Sequence, residues 1–170
     1  KSLVFPRNQF NEKYLKVIFD LGLTSYRGNQ KSWYYNTTKN SFIPRIFYRV
    51  ARLIDDYINF SGHNTYPIYK QIKKVPFNLP ASKFLRPYSP KLKLFNSLRL
   101  IRIKRSMTYA AKNKEVYHLW WHPHNFGMNQ NENFKFLKEI LIHYQFLNKK
   151  YSFESITMSN LADGMLNHKI

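Results

Sequence analysis

The chain has no cysteine, only five glycines, and nine acidic residues among 170. The missing cysteines exclude a disulfide scaffold, a thiolate-ligated zinc, an iron–sulfur site and a cysteine nucleophile. The glycines are scattered, and neither GxxxxGK nor GxGxxG occurs, so no glycine loop cradles a phosphate. His-Glu-x-x-His and GxSxG are absent as well. No apolar run approaches the ~18 residues that a membrane-spanning helix needs. Acid is scarce against 28 Lys and Arg, and the formal charge is +19.

What is present is apolar and aromatic. Hydrophobic residues make up 44% and aromatic residues 18%, too much for a disordered basic tail. The length suits one domain with a core of its own. The charge can be read as an anion-binding surface for nucleic acid, acidic glycan or a membrane face. It can also be read as base composition: Lys, Asn, Phe, Tyr and Ile, all written with A/T-rich codons, supply 76 of the 170 residues. We take the second as the default. No basic stretch followed by a long apolar region opens the chain, which favours a cytoplasmic location. It opens instead on a short β-prone run, Ser2-Leu3-Val4-Phe5, ended by Pro6, as a piece of a longer polypeptide would.

Periodicity lays out the rest. Tyr14, Val17, Ile18 and Leu21 mark a helix stopped by Gly22, and Leu23–Tyr26 reads as a strand. A second helix is expected from about Pro44 to Phe60. Asp55-Asp56 lies within it, with carboxylates pointing apart, and is assigned to solubility. Residues 62–90 hold five of the eight prolines and read as a long irregular insertion. A third helix is expected over about Asn96–Lys112, with an outer face of Arg99, Arg102, Lys104 and Arg105. Val116–Trp121 is a strand, Asn133–Asn148 a helix, Phe153–Met158 a last strand, and Ser159 caps a short final helix. The order β-α-β-α-loop-α-β-α-β predicts an α/β fold with parallel strands covered by helices, and four strands suit half a barrel. In such folds reactive residues gather past the carboxyl ends of the strands.

Chemistry-bearing residues fall there. Leu119-Trp120-Trp121-His122-Pro123-His124-Asn125 ends a strand with two histidines around a proline, which fixes its own φ and stiffens its neighbour. Stiff imidazoles suit general acid–base work or metal ligation. His118 and His143 sit inside elements and read as packing, and His63 and His168 as turn and tail residues. Phe5-Pro6-Arg7-Asn8-Gln9 and Ser25-Tyr26-Arg27-Gly28 each put an arginine at a strand end, where it can grip a carboxylate. Ser82, Arg86 and Tyr88 sit among the prolines of the 62–90 segment and could hydrogen-bond and stack with a sugar.

From Met107-Thr108-Tyr109-Ala110-Ala111 through Leu119-Trp120-Trp121-His122-Pro123-His124-Asn125-Phe126, the sequence resembles polysaccharide deacetylases of the NodB-homology type, carbohydrate esterase family 4. The arginine-bearing strand ends and the Ser82–Tyr88 loop resemble the same group's later motifs. The resemblance implies a partial (β/α) barrel lacking its first strands, with residues 1–170 as the carboxy-terminal part of one catalytic domain. It implies removal of acetyl groups from an N-acetylated oligo- or polysaccharide with a divalent metal, zinc by the family's habit. His122 matches the acid that protonates the leaving amine, with His124 as the alternative. Trp120 matches the residue lining the acetyl-methyl pocket; Asn125, Arg7, Arg27, Ser82, Arg86 and Tyr88 fall to substrate binding.

The departures are clear. Val4 stands where the family has an arginine before the proline. The fourth motif's Asp and Trp are not recognisable near Arg27. The first motifs, with the base Asp and the Asp-His-His metal ligands, are missing, so the chain alone is expected to be inactive. The rivals are another metal-dependent hydrolase on the same half-barrel and a basic, aromatic-rich binding module for nucleic acid or anionic glycan. The module is disfavoured because most aromatics fall on core-facing stripes.

Overall fold

The computed structural model describes residues 1–170 except Lys31, Trp33, 35–43, Lys73 and 168–170, and except the side chains of Arg7 and Arg45. Its described residues form five short strands and five α-helices, in this order: β1 Ser2–Leu3, α1 Lys13–Asp20, β2 Ser25–Gly28, α2 Arg45–Asp55, β3 Phe77–Pro80, β4 Lys83–Phe84, α3 Asn96–Asn113, β5 Leu119–Trp120, α4 Gln130–Tyr151 and α5 Met158–Leu166. Every ladder between these strands is parallel. One sheet runs β1-β2-β3 and the other β4-β5, and among the described residues neither closes into a barrel.

The two sheets meet in a single segment. Residues 77–80 pair with β2, and the Ala81 N–H still donates to the Gly28 carbonyl at 3.0 Å. From Ser82 the same stretch turns to the other neighbour: the Ser82 and Leu85 N–H groups donate to the His118 and Trp120 carbonyls at 2.9 and 2.8 Å. Ser82 Oγ accepts the His118 N–H at 3.0 Å, so the change of partner leaves that donor satisfied.

Helix periodicity explains the layers. α3 and α4 bury Ile103, Met107, Ala111, Phe136, Ile140 and Leu147 against each other and Leu85. Leu161, Ala162 and Met165 of α5 cover Phe77 and Leu79 of β3. Leu15 and Ile18 of α1 cover Tyr26. Strand alternation turns Ser25 the other way, where its Oγ donates to the Met158 carbonyl at the start of α5.

Four expectations change. The proline-rich segment 62–90 is not irregular throughout, because it carries β3 and β4, with Phe77 and Leu79 buried. Phe153–Met158 is not a strand: no neighbouring edge offers it a ladder among the described residues, and Thr157 rather than Ser159 caps α5 by accepting the Asn160 N–H. Arg99 and Arg102 do not lie on an outer basic face, being 3% and 4% exposed. Finally, α2 ends at Asp55, short of Phe60, and both Asp55 and Asp56 are buried.

Candidate functional site

The β5 strand ends at Trp120, and the chain continues extended through His122 before Pro123–Phe126 forms one 3-10 turn. Proline's fixed φ places it at the first position of that turn. The Trp120 and His122 rings lie 5.2 Å apart, edge to face. The turn then folds His124 back over His122, 5.1 Å away and within 18° of parallel. The row of rings therefore continues past Pro123. His122 and His124 are both exposed. Asn125 is half-buried, and its N–H donates to the His122 carbonyl at 3.0 Å, holding the turn.

Two strands away, β2 delivers Arg27 to the same place. Its guanidinium stacks 3.8 Å above the Trp120 ring. Its Nε donates to Asn8 Oδ1 at 3.2 Å, tying in the loop after β1. Phe84 of β4 closes the other side, with its ring 4.6 Å from Trp120 and 5.9 Å from His122. Asn8, Arg27, Phe84, Trp120, His122 and His124 thus converge just past the carboxyl ends of four strands. Phe84 carried no sequence signal of its own; only its place one residue beyond Lys83, on the opposite side of a strand, could have pointed to it.

Ser82, Arg86 and Tyr88 lie elsewhere. The backbone of Arg7 belongs to the 3-10 turn Pro6–Asn8. Ser82 is wholly buried in the sheet, with its hydroxyl engaged by His118, and offers nothing to a ligand. Arg86 pairs with Asp56. The Tyr88 N–H donates to Asn133 Oδ1 at 2.7 Å and holds that segment against α4. His143 hydrogen-bonds Thr108 and the Lys104 carbonyl, as a packing histidine would. His168 lies outside the described residues.

A second cluster was missed altogether. Alternation along β4 sends Phe84 to the histidines and Lys83 to the acids. Lys83 Nζ lies 2.9 Å from Asp55 Oδ2 and 2.8 Å from Asp56 Oδ1. Arg102 stands 3.5 Å from Asp55, whose carboxylate also accepts from Tyr34 Oη at 2.8 Å and the Ser61 N–H at 3.1 Å. Burial alone raises the Asp55 carboxyl; Lys83, Ser61 and Arg102 outweigh it and hold the group below its ordinary range. These acids serve no solubility role. They bind the end of α2 to β4 and α3.

His118 and His122 stand in His-x-x-x-His spacing, which brings two rings together on a helix. On this extended backbone four residues span about 13 Å. His118 is pushed down to about 4, first by burial and then by the Arg27 charge, and stays neutral at pH 7. Among the described residues no three His, Asp or Glu side chains gather as a metal site. The residues described therefore do not fit the divalent metal that the deacetylase resemblance implies. No helix among them is long and apolar enough to cross a membrane. No family description, curated protein or solved structure matches the chain.

Proposed function

We propose that this chain is the carboxy-terminal portion of a polysaccharide deacetylase-like hydrolase, on part of a (β/α) barrel, that removes acetyl groups from N-acetylated sugars. The observation that carries this is the convergence of Asn8, Arg27, Trp120 and His122 at the carboxyl edge of the parallel strands. His122 is the acid in this reading: it is exposed, its ring lies against those of Trp120 and His124, and it would give a proton to the departing nitrogen. Amide hydrolysis breaks the C–N bond as water supplies the oxygen of acetate. The amine leaves well only if its nitrogen is protonated as the bond breaks. Trp120 lies beside the acid and would shape the apolar wall for the acetyl methyl. The base and the metal ligands belong to residues outside this chain. The inward turn of Arg99 and Arg102 removes much of the basic face that a nucleic-acid module would use.

The test is acetate release from an N-acetylglucosamine oligosaccharide by the full-length polypeptide containing these residues, assayed with zinc. His122→Ala should lower kcat by about 10²–10⁴-fold while leaving metal content unchanged. Absence of acetate release, or unchanged turnover in the variant, would refute the assignment.

A further inference from the structure

Arg27 is a buried cation without a counter-ion. It is 9% exposed, yet it belongs to no ion pair. All nine carboxylate side chains of these 170 residues lie among the described residues, so none of the nine escapes this count. Asp55 and Asp56 are taken by Lys83, Arg86 and Arg102, and Glu139 by Lys104. A guanidinium removed from water without an anion is costly, and such groups are ordinarily found paired.

The side chain is also aimed. Asn8 takes the Nε–H, and Trp120 supports the guanidinium plane at 3.8 Å. The four N–H groups on the two Nη atoms have no hydrogen-bond partner among the described residues. Neither Nη atom is among the unpartnered polar atoms sealed from solvent, so each keeps some contact with solvent. Arg99 is the contrasting case. It too lacks a carboxylate, but it donates to the Arg86 and Pro87 carbonyls and lies over Phe136 inside the helix layer. Among the described residues Arg27 alone combines burial, a clamped plane and an unused fork beside the histidines.

We propose that Arg27 receives a carboxylate carried by the ligand, so that the substrate class of this site is an acidic N-acetylated glycan. The inference rests on the deacetylase reading for the sugar. A planar fork held by Nε and by an aromatic ring matches two carboxylate oxygens side by side, which a lysine would not. The carboxylate would lie one ring away from His122, so recognition of the acid also sets the register of the acetamide at the histidines. The chain's charge of +19 adds attraction for an anionic polymer at low salt.

The experiment is calorimetric binding to the full-length polypeptide containing these residues, in which any acid from outside them is present to compete for Arg27, of two probes of equal length: an N-acetylglucosamine trisaccharide, and an N-acetylated trisaccharide bearing a hexuronate carboxylate. The acidic probe should bind about ten- to a hundredfold more tightly. Arg27→Met should abolish that ratio, and Arg27→Lys should restore only part of it. Equal binding of the two probes by the unmodified chain overturns the inference without needing any variant, and so does a ratio that survives in Arg27→Met. Equal binding with acetate released leaves the deacetylase reading standing alone. Preference for the acidic probe with no acetate released by the full-length polypeptide sinks the deacetylase reading and leaves the carboxylate site.

Discussion

Replacing Lys83 by methionine tests the buried charge cluster most directly. The ammonium makes three close contacts: Asp55 Oδ2 at 2.9 Å, Asp56 Oδ1 at 2.8 Å and the Asp55 carbonyl at 3.0 Å. These use all three of its N–H donors. Methionine keeps the length and removes every one. Asp56 then retains Arg86, while Asp55 retains Tyr34, the Ser61 N–H and Arg102 at 3.5 Å. Stranding a buried carboxylate costs about 3–5 kcal/mol, and the partners that remain argue for the lower end at pH 7. In a chain of 170 residues, ~3 kcal/mol corresponds to a fall in Tm of about 6–12 °C.

The pH dependence supplies the sharper sign. In the unmodified chain the folded Asp55 carboxyl titrates below its unfolded value. Its contribution is therefore complete above the unfolded value of ~3.9 and is lost as the pH falls through the lower folded value. Without Lys83, burial dominates and the sign reverses, so protonation relieves the variant. Urea unfolding followed by tryptophan fluorescence should show a deficit that narrows between pH 7 and pH 4. Asp55→Asn in the Lys83→Met background should recover part of it. A deficit under about 1 kcal/mol at pH 7, or one of equal size at both pH values, would refute the assigned roles.

Other outcomes follow from the same contacts. Proton NMR should find the His118 ring neutral down to a midpoint near pH 4, and Arg27→Met should move that midpoint upward, because the arginine charge is the second cause of the depression after burial. Asn133, 2% exposed, accepts from the Tyr88 N–H and donates to the Met128 carbonyl at 2.8 Å. Asn133→Ala should cost about 1–3 kcal/mol in urea unfolding and raise amide exchange at Tyr88, since it leaves a buried donor unmatched.

Much of the fold was legible because helices announce themselves by period. The expected Asn96–Lys112 helix differs from α3 by one residue, and α4 runs a few residues past its expected ends. The rule that chemistry gathers past parallel strand ends brought Arg27, Trp120, His122 and His124 into view together. β3 was hidden because Phe77-Asn78-Leu79-Pro80 is only four residues long and bounded by Pro76 and Pro80, the usual marks of a loop. Ile156-Thr157 looked strand-like by β-branching, yet a strand needs an edge to join, and that is a property of the assembled sheet. The acid cluster was misread because helix spacing was applied past the point where the helix stops. Asp56 is the C-cap of α2, and the burial of both acids depends on Lys83, 28 residues away from Asp55.

The all-parallel pairing also bears on how the chain acquires its structure. No ladder here is a hairpin. β2 pairs with β1 at a separation of 23 positions, and the Ser82–His118 contact spans 36. Each requires closing a wide loop before any cross-strand bond repays the lost entropy. The helix pair α3 and α4 is no more local: its contacts run from Lys104–Glu139 to Thr108–His143, both 35 positions apart, so the two helices lie parallel and close a loop of the same width. Segment 77–85 is then a gate in time as well as in space. Until it has paired with β2 on one side and with β5 on the other, Arg27 is not held against Trp120.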